Sequence, residues 1–139
     1  MKQIEGITMD ELKALVEKSE CYHYGLIVIE YDGGEYAIAM DDEEADSACK
    51  EYITGALWAF NEFFLTEMTG IDLKVFVALS QSNLCEAAND AILALVEKTC
   101  GIDELVAAAI DADGRGHFLA CWDGEEIELD CGAYAYRYN

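Results

Sequence analysis

Twenty-nine acidic side chains stand against eight basic ones in this chain of 139 residues, a formal net charge of −21. Self-repulsion of that size destabilises a compact state, so the chain folds only if its core offsets it. The composition supplies the means. Apolar residues make up 53% of the chain, and a chain of this length buries about two-thirds of its unfolded surface. Disorder needs low hydrophobicity together with high charge, so the balance points to a folded protein. The length suits one domain, and residues 1–139 are read as a single α+β domain.

The charge also selects partners. A folded chain of this mass exposes roughly 7,000 Å² of surface, or about one net negative charge per 340 Å². Direct binding to nucleic acid or to an anionic membrane is disfavoured, whereas a basic protein is attracted. Met1 to Thr8 lacks the apolar stretch of a secretory signal, and no apolar run reaches the ~18 residues that span a bilayer. Six cysteines (Cys21, Cys49, Cys85, Cys100, Cys121 and Cys131) sit in a chain with a full core and no signal. They are read as free thiols of a cytoplasmic protein rather than as a disulfide scaffold.

Local signals give the elements. Thr8-Met-Asp-Glu11 is a capping box, and Met9, Leu12, Leu15 and Val16 follow at helical spacing, predicting a helix over 8–20. Two apolar runs, 22–31 and 35–40, flank Asp32-Gly33-Gly34 and predict a β-hairpin. Apolar positions stepping by three and four between 45 and 64, closed by Gly70, predict one long helix over 42–69. Over 72–80 Val75, Phe76 and Val77 favour a strand, whereas Asp72 as a cap and the absence of turn signals favour a short helix, the preferred reading; a third main helix is expected over 83–99, and an Ala-rich one over 103–110. The end reads as β: His117–Trp122, Glu125–Asp130 and Tyr134–Tyr138. The expected architecture is three main helices packed on an antiparallel sheet formed by the N-terminal hairpin and the C-terminal strands.

Two regions are candidate sites. Glu30, Asp32, Glu35, Asp41, Asp42, Glu43, Glu44 and Asp46 place eight acids in seventeen residues, and no Lys or Arg lies between Lys18 and Lys50. The bland account is a solvated hairpin tip and helix start; the sharper one is an electronegative docking surface. The second region joins Arg115 and His117 to Glu126. Arg115 would hold an anionic group, and His117 would exchange a proton near neutral pH. The plain account there is a polar turn. Asp111, Asp113 and Gly116 match three positions of a calcium loop, but Arg115 and Trp122 occupy positions that need oxygen ligands. His117, Cys121 and Cys131 lack the paired spacing of a zinc site. No metal, cofactor or conventional catalytic motif is expected. Tyr134, Tyr136 and Tyr138 alternate and share one strand face, either over the core or as an exposed contact surface.

Leu57-Trp-Ala-Phe-Asn61, Asp113-Gly-Arg-Gly-His-Phe-Leu119 with Asp123-Gly-Glu-Glu126, and Tyr136-Arg-Tyr-Asn139 together resemble a set of small uncharacterised acidic proteins of phages and mobile elements. That likeness covers roughly residues 52–139 and carries no assigned activity. In size and acidity the chain is also similar, as a class, to anti-restriction and anti-CRISPR inhibitors that mimic DNA. The class implies an inhibitor that binds a basic nucleic-acid-binding partner through its carboxylates. The alternative expectation is a small-ligand binder or enzyme built on Arg115, His117 and Glu126.

Overall fold

The computed structural model describes residues 3–81 and 85–139. The fold is α+β, with seven α-helices and one five-stranded antiparallel sheet among the described residues. They are α1 (Met9–Lys18), β1 (Tyr22–His23), β2 (Leu26–Tyr31), β3 (Gly34–Ala39), α2 (Asp42–Gly55), α3 (Glu62–Thr69), α4 (Leu73–Gln81), α5 (Asn89–Glu97), α6 (Ile102–Asp113), α7 (Arg115–Leu119), β4 (Glu126–Glu128) and β5 (Tyr134–Arg137). The chain divides into two compact units, one of residues 1–49 and 112–139 and one of residues 50–111. No helix among the described residues is long and apolar enough to cross a membrane.

The first unit holds the sheet, in the order β1-β2-β3-β5-β4, so the N-terminal hairpin and the C-terminal strands do pair. Its turns follow from residues that tolerate positive φ. Asp32 (φ 46°) and Gly33 (φ 81°) link β2 to β3. Tyr24 (φ 50°) and Gly25 (φ 80°) do the same between β1 and β2, dividing the run expected as one strand over 22–31. In α1 the Thr8 hydroxyl accepts the Glu11 amide at 3.2 Å, as the capping box requires. Leu12 is fully buried in a core with Ile4, Ile7, Ile29, Ile38, Leu129 and Ala135, and Met9, Leu15 and Val16 pack against it. On the other sheet face the register aligns Val28, Ala37, Tyr136 and Glu126 across four strands.

The second unit is helical. The single helix expected over 42–69 is broken: α2 ends at Gly55, a 3₁₀ turn spans Leu57–Ala59, and α3 restarts with Asn61 as cap. The break is held from outside by Asn89. Its Nδ2 donates to the Thr54 carbonyl at 2.8 Å, and its Oδ1 accepts the Trp58 amide at 3.2 Å. Two of the backbone groups freed by ending one helix and starting another therefore have a partner in Asn89. Gly70 (φ 74°) stops α3 as expected, and Asp72 accepts the Lys74 amide at 2.8 Å to start α4. The helix expected over 83–99 is a 3₁₀ turn at Cys85–Ala88 followed by α5, and its start at Asn83 lies outside the described residues.

The largest departure lies at the end of the chain. His117–Trp122, expected as a strand, is the helix α7 and the turn after it. Gly114 precedes α7 at φ 83°, ψ 155°, a conformation essentially confined to glycine. It redirects the chain between α6 and α7, so Asp111 to Gly116 form helix ends rather than a cation-binding loop. A Cβ on Gly116 would lie 2.5 Å from the Glu126 nitrogen and 2.7 Å from the Gly124 oxygen. Only glycine lets α7 approach the 124–126 backbone so closely.

Candidate functional site

Arg115, the first residue of α7, is where the two candidate regions meet. Asp42 and Asp46 lie one turn apart at the start of α2, Glu126 opens β4, and Tyr134 and Tyr136 share a face of β5. The Nε of Arg115 donates to Glu126 Oε2 at 2.7 Å, and Nη2 donates to Glu126 Oε1 at 3.2 Å, a bidentate fork. Nη2 also reaches Asp42 Oδ1 at 3.0 Å, and Nη1 reaches Asp46 Oδ1 at 3.1 Å and the Asp42 carbonyl at 3.4 Å. The five N–H donors of the guanidinium are therefore all engaged. The Tyr134 ring lies 4.7 Å from the guanidinium carbon in cation–π geometry. The Tyr136 hydroxyl donates to Glu126 Oε2 at 2.5 Å.

The electrostatics follow from this packing. The Arg115 side chain is only 12% exposed, while Asp42 and Asp46 remain 71% and 59% exposed. Burial works against the Arg115 charge, but hydrogen bonds to Glu126 and Asp42 outweigh it and raise its pKa. The hydrogen bond from Arg115, and then one from Tyr134, hold the Asp42 carboxyl below its usual range. Burial, followed by its bond to Glu126, raises the Tyr136 phenol. The neighbouring Cys49 thiol is pushed up to about 12 by burial, which leaves it protonated and unreactive near neutrality. Three carboxylates around one cation leave the cluster with an excess of two negative charges, fixed in place.

The eight acids of the first region divide by what they do. Asp41 Oδ1 accepts the Glu44 amide at 2.9 Å, and Glu44 Oε2 accepts the Met40 amide at 2.8 Å, a reciprocal cap on α2. Asp42 and Asp46 clasp Arg115. Glu35 accepts Asn139 Nδ2 at 2.8 Å. Glu30, Asp32 and Glu43 are exposed, and no partner for their carboxylates is found among the described residues. Of the second region, Arg115 and Glu126 are brought together. His117 is exposed, with its ring edge-on to Phe118 at 5.0 Å. Tyr136 is fully buried and Tyr134 and Tyr138 half-buried, so the alternating tyrosines cover the core rather than forming an open contact face. The role of Tyr134 and Tyr136 beside Arg115 is absent from the sequence reading; the only signal for it was their alternation.

Neither protein-family models, nor curated proteins, nor solved structures give a match to this chain.

Proposed function

We propose that this is an acidic binding protein of the cytoplasm that inhibits or sequesters a basic nucleic-acid-binding partner, presenting carboxylates where that partner takes phosphates. This is the mode of anti-restriction and anti-CRISPR DNA mimics. The observation that carries the reading is the placement of charge. The unit of residues 1–49 and 112–139 holds 19 of the 29 acids but 5 of the 8 basic residues, a net charge of −14. Within it Asp42, Asp46 and Glu126 are gathered around Arg115 by ion pairs. Carboxylates held in place lose less freedom on binding than flexible ones, and their summed field speeds encounter with a cationic surface.

The reading based on Arg115, His117 and Glu126 as a ligand or catalytic site has less support. An anion would have to displace the chain's own carboxylates from a saturated guanidinium. The test is capture of nucleic-acid-binding proteins on the immobilised protein at low and high salt, with duplex DNA as competitor. Basic proteins released by salt and by DNA support the proposal. Capture indifferent to both overturns it.

A further inference from the structure

The sheet leaves one edge partly uncovered. β1 has two residues and pairs only with Leu26 and Ile27 of β2. Just beyond, the Val28 amide donates to the Cys21 carbonyl at 2.9 Å, and the Val28 carbonyl accepts the Ser19 hydroxyl. By the alternation of an antiparallel ladder, the next main-chain groups facing outward are those of Glu30. A groove of about 390 Å³ runs along this edge, with Leu15 and Val28 as apolar lining and Lys18, Glu20, Glu30 and Glu35 as charged lining. A second depression of about 450 Å³ continues it past Asp32, and the two share Glu30 and Glu35.

Glu30 and Glu35 stand directly opposite each other in the β2–β3 register. Like charges in that position destabilise a sheet. Glu35 has hydrogen bonds from Asn139 and from the Tyr138 hydroxyl, both neutral donors. The same fold shows how it accommodates a guanidinium elsewhere: carboxylates from separate elements and a tyrosine ring surround Arg115. Along the groove, Glu20, Glu30, Asp32 and Glu35 supply the carboxylates; Lys18 lines one end, and the Arg137 guanidinium lies beside Gly34 and Asn139 at the other.

We infer that the groove beside the β2 edge docks an extended, Arg- or Lys-bearing segment of the basic partner, bridging to the Glu30 main chain and seating a cationic side chain between Glu30 and Glu35. This rests on the proposed function and gives it a surface. The groove supplies apolar contact and a strand edge for the segment's backbone, and its charge is complementary. A compact polycation would need only the charge.

The probe is a synthetic peptide alternating Arg with Val, compared with spermine and with the peptide carrying Glu for Arg. Backbone amide shifts of the protein are followed by NMR. The peptide should shift residues 18–20 and 28–35, spermine should give a diffuse map over the acidic surface, and the Glu peptide should give none. Glu30→Gln with Glu35→Gln should weaken the Arg peptide about tenfold and raise the melting temperature, since it removes the opposed charges. Identical maps for peptide and spermine, or unchanged peptide affinity in the double variant, overturn the inference. The captured basic partner separates this from the wider proposal. If it binds the double variant at the parent's rate but slows with Glu43→Gln and Asp41→Asn, the groove is wrong and the proposed function stands.

Discussion

The Oε2 atom of Glu126 accepts from two residues at once: the Arg115 Nε at 2.7 Å and the Tyr136 hydroxyl at 2.5 Å. Arg115 begins a helix, and Tyr136 lies on β5, between β3 and β4, so one carboxylate oxygen ties α7 to β5 through β4. Replacing Arg115 by Met removes all five donor contacts and leaves Glu126, which is 30% exposed, without its counter-ion. Breaking a buried pair costs roughly 3–5 kcal/mol, and the exposure of Asp42 and Asp46 lowers the expected loss to about 2–4 kcal/mol. Arg115→Lys should recover only part of it, because an ammonium cannot fork. Urea denaturation of the two variants checks both statements.

Gly116→Ala should destabilise the fold by about 1–3 kcal/mol or more, the range for overpacking. The added carbon meets backbone atoms of Gly124 and Glu126, which cannot swing aside as a long side chain can. Chemical denaturation gives the magnitude. A loss below a few tenths of a kcal/mol would show that α7 does not press on the 124–126 turn.

Acid should weaken the first unit through two groups. The Asp42 carboxyl is held low by Arg115, so its contribution is present above the ordinary carboxylate pKa and is lost as pH falls through the lowered value. His23 is held below its usual value by burial, the bond to the Leu119 carbonyl acting the other way. Its stabilising effect is present above the ordinary imidazole pKa and declines as pH drops below that point. Against the relief of self-repulsion that acid brings to so negative a chain, these two groups should subtract stability in two ranges, one below about 6.5 and one below about 4. Asp42→Asn should flatten the lower range and leave the upper one intact.

Thiol reactivity should follow burial. Cys21, Cys49, Cys100, Cys121 and Cys131 are free, and the side chain of Cys85 lies outside the described residues. In the native protein the exposed Cys21 and Cys121 should react first with a maleimide, and the buried Cys49 last. Unfolding without reductant should release six titratable thiols; a count of zero would mean a disulfide framework.

The sequence by itself determined the features that depend on a few neighbouring residues. Thr8 and Glu11 start α1, Asp32 and Gly33 turn the hairpin, Gly70 stops α3, and Asp72 starts α4. Each is a short-range hydrogen bond or a backbone conformation that particular residue types favour, so the local sequence suffices. The total charge was equally open to reading. Only the tertiary structure decided the rest. The helical pattern through 42–69 is continuous in sequence, yet Asn89, more than thirty residues away, supplies the bonds that let it break. Residues 115–119, apolar enough to read as a strand, form a helix whose Gly116 packs directly on the 124–126 backbone. Asp42 and Asp46, read as part of an open acidic run, clasp an arginine some seventy residues distant. Periodicity and composition carry no record of which remote group will neutralise a charge or accept an orphaned amide; packing assigns those partners.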